Sequence, residues 1–170
     1  DIDVPLDNLP ISQAQVANLP SRVIENLFWF GRYAERAEMS LRLMRTIFKQ
    51  LNGIDHFPIE SREVLLGAMS EISGSQPGFI EQPELLMQPN DELAALVSDG
   101  QRIGSIKSNL QLMLACAEQV KEMLSADTRI ILNELRDHIH SVDRAYVNGL
   151  PAVPEESLDG LVTSLAPVWP

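Results

Sequence analysis

The sequence predicts an all-α protein, a helical bundle of three long amphipathic helices with shorter ones between them. Apolar residues recur alternately four and three apart from Val23 to Leu51, from Ile106 to Leu124 and from Leu132 to Tyr146, which is the spacing of a helical seam. No segment alternates apolar and polar residues as a half-buried strand would, and no short-period repeat is present. Turn signals at Asn52-Gly53, Asp99-Gly100 and Asn148-Gly149 close the periodic stretches.

Residues 1–18 carry Pro5 and Pro10 among Asp and Asn without a sustained period. They read as a linker or an arm laid on a partner, and residues 19–170 as the bundle. The first helix is expected to open at Ser21, its hydroxyl accepting from first-turn amides after Pro20 has fixed the incoming chain. Its seam is Val23, Leu27, Phe30, Ala34, Ala37, Leu41, Met44, Phe48 and Leu51. At 1.5 Å per residue such a helix is about 45 Å long, and only an extended bundle buries a seam of that length. A second helix is expected over Ile59 to Ser73 with Val64, Leu65, Ala68, Met69 and Ile72 inward, broken by Gly74-Ser75-Gln76-Pro77-Gly78. A short turn around Leu85 to Met87 and a helix from Asn90 carrying Leu93, Leu96 and Val97 follow. Ser105 then opens a long helix through Leu124, and Ser125 both stops it and caps the next. Pro151 and Pro154 mark a turn before a last short helix with Leu158, Leu161, Val162 and Leu165.

The stretch Leu19 to Glu38 places charges among large apolar side chains. At about 100° per residue, Glu25, Trp29, Arg32, Arg36, Met39 and Leu43 form a second stripe well away from the seam, with Glu35 between the two. This predicts a first helix covered on two sides, with Glu25, Arg32, Glu35 and Arg36 as a buried ionic cluster and Trp29 as an aromatic wall beside it. Two roles stand open for that cluster. It is a register-fixing ion network, in which case Arg32→Ala costs about 3–5 kcal/mol, or it is a binding or catalytic site in which Arg holds a carboxylate and Glu acts as base. Gly31 would let another helix approach closely.

These residues resemble a known family. Pro20-Ser21-Arg22, Glu25-Asn26-Leu27-Phe28-Trp29, Gly31-Arg32-Tyr33 and Glu35-Arg36-Ala37-Glu38 are similar to the opening signature of the alpha-E family, bacterial helical domains named for a Glu-Arg motif. Gly104-Ser105-Ile106, Ala117-Glu118, Val120 and Leu124-Ser125 are similar to its middle portion, more loosely, since the family tends to carry Arg-Glu-Asn near Cys116-Ala117-Glu118. The resemblance runs from about Leu19 to the end. It implies a domain whose members are usually about twice as long, with a second Gly-Arg-x-x-Glu-Arg-like helix that this chain lacks. The chain is therefore expected to be the N-terminal half of such a domain, excised from a longer polypeptide. The resemblance also implies company: members occur fused to, or encoded beside, ATP-grasp-like ligases and beside transglutaminase-like proteins.

Composition narrows the function classes. At 170 residues one core is the default. Thirteen Lys and Arg against 24 Asp and Glu give a net charge of −11, which opposes binding to a phosphate backbone, so no nucleic acid partner is expected. The single Cys116 cannot form an internal disulfide and reads as a small core residue. With no signal peptide and no apolar run near 18 residues, no membrane association and a cytoplasmic setting are expected.

Catalytic patterns are missing. Di-metal bundles use Glu-x-x-His pairs on two helices, whereas His138 and His140 are two apart and diverge by about 160° on a helix. Glu134 and His138 suit one surface pair, and His56 a loop beside Phe57-Pro58. The Gly100 to Gly104 run, GQRIG, lacks the length and Lys-Ser/Thr ending of a phosphate loop. Ser105 and Ser125 lack a base and read as caps, and Glu118, Glu122, Glu155 and Glu156 as exposed acidic faces. No cofactor and no metal are expected.

The resulting expectation is a non-catalytic interaction or scaffolding module accessory to an ATP-grasp-type amide-bond-forming ligase. The alternative is an enzyme, or a peptide- or acyl-binding site, built on Glu25, Arg32, Glu35 and Arg36; a purely structural oligomerisation unit is a third reading. A homodimer through the Val23 to Leu51 seam and the tail ending in Trp169 is also expected, since the missing second half would leave apolar surface uncovered.

Overall fold

All regular structure among the described residues of the computed structural model, 20–54 and 57–168, is helical. The elements are α1 (Ser21–Asn52), α2 (Ile59–Ser73), α3 (Gly78–Glu81), α4 (Pro83–Met87), α5 (Asn90–Ser98), α6 (Ile106–Gln119), α7 (Ala126–Ala145), α8 (Pro154–Ser157) and α9 (Asp159–Leu165), with single 3-10 turns at Lys121–Met123 and Ala166–Val168. The linker reading of residues 1–18, the loop reading of His56 and the Trp169 tail fall outside the described residues.

The seam of α1 is the axis of the core. Leu27, Phe30, Ala34, Ala37, Leu41, Met44 and Phe48 are buried, and Ile47 joins them, while Val23 and Leu51 at the ends are half-buried. The two Ala residues and the buried Gly31 keep the middle of the helix narrow, which allows the close approach of α6 that forms the most extensive helix pair in the molecule. From α6 and its 3-10 extension come Ile106, Leu110, Met113, Ala117, Val120 and Leu124, and from α7 Leu132, Leu135, Ile139, Val142 and Tyr146, all buried. The seam expected to receive a second copy is thus covered within the chain along most of its length.

Polar ties set the helix directions. Lys107 at the start of α6 donates to Asp143 near the end of α7 at 2.7 Å, as in antiparallel neighbours with a short link. Past the end of α7, Glu155 and Asp159 meet the second half of α1: Asn52 donates to Glu155 at 2.8 Å and Arg45 lies 3.4 Å from Asp159. The start of α6 therefore lies beside the second half of α1, and the end of α6 beside the first half.

Capping follows the sequence at two places and departs from it at a third. Ser105 accepts from the Ser108 amide at 3.0 Å and Ser125 from that of Thr128 at 3.1 Å, each satisfying a first-turn donor. Ser21, by contrast, is already helical; the cap is Pro20, whose carbonyl accepts from Val23 and Ile24 while no side chain contributes. The α6 helix also ends at Gln119 and tightens into a 3-10 turn before Leu124. In α2 the buried side is Leu66, Met69, Ser70 and Ser73, whereas Val64 and Ile72 are exposed. The expected inward face was thus displaced around the helix, because Ser70 and Ser73 turn inward to bond the following loop and hold it there.

That loop is tied by a polar node. Arg102 forks onto both carboxylate oxygens of Glu92 and donates from Nε to Ser75 at 2.8 Å. Ser70 Oγ accepts from the Phe79 amide at 2.9 Å. Gly104, at φ +87°, leaves no room for a Cβ against the carbonyl of Ser73. These contacts stitch the α2–α3 link to the α5–α6 link.

Candidate interaction face

The first half of α1 carries part of its signature outward, at Trp29, Glu35 and Arg36, while Leu27, Gly31 and Ala37 face the core. Trp29 stacks on Tyr33 with centroids 5.6 Å apart and meets Phe28 edge to face at 5.4 Å. The Arg36 guanidinium lies 5.9 Å from the Tyr33 ring centroid, within cation–π range. Arg32 Nη1 donates to Glu35 Oε2 at 2.9 Å, one turn along the same helix, and Arg42 donates to Glu38 at 2.6 Å. Glu25 makes no ion pair among the described residues, so Arg32 is matched by Glu35, three positions away, and not by the more distant Glu25.

Burial separates this stripe from the seam and corrects the expected ionic core. Trp29 is 37% exposed, Ile24 42% and Met39 49%; Glu25, Glu35 and Arg36 are exposed and Arg32 is half-buried. The physical reason is that α1 packs mainly against α6 and α2 through its seam, while the side that carries Ile24, Trp29 and Met39 stays open to solvent. Intrahelical pairs of this kind contribute only about 0.2–0.5 kcal/mol each, so the cluster does not hold the bundle together. What remains is an aromatic ladder, Trp29, Tyr33 and Arg36, flanked by Ile24 and Met39 and by paired charges, laid along a rigid helix.

Elsewhere the sequence candidates take structural places. His138 is half-buried, its ring filling the space where a Cβ at Gly160 would stand, and it does not pair with Glu134; His140 is exposed. Cys116 is half-buried, and burial pushes its thiol above the ordinary value, which disfavours the reactive thiolate. Glu118 is not a bare acidic face: it accepts from Lys121 at 2.8 Å and lies 3.8 Å from Arg136, and Lys121 holds its carboxyl below the usual range. Glu155 likewise serves as the acceptor for Asn52. No described helix is long and apolar enough to cross a membrane.

Two groups escaped the sequence reading. The Glu92–Arg102–Ser75 node joins residues 10 and 27 positions apart, and its only signal is a lone Arg in the turn between Gly100 and Gly104. The second is a cluster of Lys121, Arg129 and Arg136 around a small pocket; Arg129 and Arg136 share one face of α7 at a spacing of seven, and Lys121 joins them only through the tertiary fold.

The chain is similar to several known proteins. Uncharacterised protein Rv2567 of Mycobacterium tuberculosis is 29% identical over 122 residues, spanning 65% of this chain and 14% of the relative. Uncharacterised protein Mb2597 of Mycobacterium bovis shows the same identity and coverage. The chain thus matches about one seventh of the length of these relatives. No solved structure gives a significant match. Residues 19–168 match the Alpha-E family, described as a predicted alpha-helical domain with a conserved ER motif, and the one Glu-Arg dipeptide in this sequence is Glu35-Arg36 on the outward stripe. On that match, which spans nearly the whole bundle, the chain belongs to the Alpha-E family.

Proposed function

We propose that this chain is a non-catalytic interaction module whose docking surface is the outward stripe of α1, centred on Trp29, Tyr33 and Arg36, and whose partner is an ATP-grasp-type amide-bond-forming ligase. One observation carries the reading: the stripe holding the Glu-Arg dipeptide is exposed and makes only local contacts, so its aromatic and charged residues do little for the fold. Aromatic and Arg side chains on a preformed helix are the groups from which interface hot spots are built. The ligase partner comes from the company that the family resemblance implies. The catalytic alternative on Glu25, Arg32, Glu35 and Arg36 is less favoured by the geometry, because Arg32 and Glu35 neutralise each other and Glu25 stands apart.

The test is binding of the purified chain to an ATP-grasp-type ligase domain, measured by biolayer interferometry. Trp29→Ala and Arg36→Ala are each expected to weaken binding by about tenfold or more, while melting temperature changes by less than about 3 °C. Absence of binding by the wild type, or equal binding by both variants, would overturn the reading. A second copy of the chain is the competing occupant of the same stripe. Light scattering over a dilution series separates it: a mass above 18.9 kDa that Trp29→Ala returns to the monomer value would replace the ligase by a homodimer.

A further inference from the structure

We infer that the end of the bundle where α6 meets α7 carries a second binding site, shaped for a carboxylate on a short aliphatic stem, such as an acidic side chain of a partner protein. The pocket there has a volume of about 130 Å³ and is rimmed by Lys121, Arg129 and Arg136 over a floor of Ala117, Leu124 and Leu132. Three of the 13 basic residues of a chain with net charge −11 thus meet at one small cavity.

One carboxylate of the chain itself already stands at the edge of this pocket. Glu118, on its edge, accepts from Lys121 at 2.8 Å and lies 3.8 Å from Arg136, so one carboxylate is drawn between two of the cations. Asn133 Oδ1 accepts from Arg136 at 2.8 Å and steadies that guanidinium. Arg129 is exposed and its side chain makes no ion pair or hydrogen bond among the described residues, which leaves a two-pronged donor for an incoming carboxylate. Size narrows the ligand further. Sites for whole small molecules usually enclose about 300–1,000 Å³, so this one takes a group rather than a molecule, and its apolar floor suits the methylenes of a Glu or Asp stem better than a bare inorganic anion.

Glutarate serves as the probe, titrated into 15N-labelled chain at constant ionic strength and compared with inorganic phosphate and with chloride. Saturable shifts are expected at amides of residues 117–136, with glutarate binding more tightly than phosphate. Arg129→Ala, at an exposed position, should weaken glutarate binding by about fivefold or more, and Arg129→Gln, which keeps much of the stem, should do the same. Glu118→Gln removes the competing charge and should tighten it. Shifts that track chloride equally, a preference for phosphate, or unchanged affinity in both Arg129 variants would overturn the inference.

Discussion

The two sides of α1 carry similar residue types and meet different fates. Inward, Leu27, Phe30, Leu41, Met44 and Phe48 are at most 3% exposed; outward, Ile24, Trp29 and Met39 remain between 37% and 49% exposed. A helix that is apolar most of the way round is usually buried all round, and here it is not. The difference is that the inward side is packed against α6 and α2, whereas the outward residues Ile24, Trp29 and Met39 stay exposed. Apolar content therefore reports a tendency to be covered, and the supply of partner surfaces decides whether the cover is intramolecular.

If that contrast is right, the largest loss of stability follows from the inward side. Phe48→Ala should cost about 3–5 kcal/mol, read as a lower denaturant midpoint with little change in slope. Next in size is Arg102→Met, which strands the mostly buried Glu92 and frees the loop that Ser75 anchors; about 2–3 kcal/mol is expected, and the same assay would detect it. Tyr146 gives a pH test of the core from the α7 side. Burial pushes its phenol up to about 12, against a smaller opposing effect of its hydrogen bond with Ser157. The neutral form is the one the fold favours, so its contribution is complete below about pH 10, the ordinary value for a phenol, and is lost as pH rises to about 12. Stability should fall by about 2 kcal/mol across that window on account of this group, and Tyr146→Phe should remove that part of the fall. Ser105→Ala comes last among the inward changes, at about 1 kcal/mol for a lost cap.

The sequence made the seams legible because a 4-3 alternation sustained over eight turns leaves little else it could be. Ser105 and Ser125 were legible for a local reason, since a hydroxyl ahead of an apolar run has one obvious acceptor role. The face of α2 was not: Ser70 and Ser73 turn inward to bond the following loop, an arrangement that hydrophobic periodicity counts against. The ionic cluster was legible as a group of residues but misplaced in depth, because one helix pattern does not state how many neighbours it has. The Glu92–Arg102–Ser75 node depends on tertiary folding and left almost no trace in spacing, whereas the pocket left one, the seven-residue interval between Arg129 and Arg136 on α7, with Lys121 added by the fold.

The central claim is that the outward stripe of α1 serves recognition and not folding. Its most direct test is the guanidinium unfolding free energy of the triple variant Trp29→Ala, Arg32→Ala and Arg36→Ala. The account predicts a value within about 1 kcal/mol of the parent, since only local stacking and surface ion pairs are lost. A loss of about 3 kcal/mol or more, the size expected for breaking a buried ionic core, would contradict it.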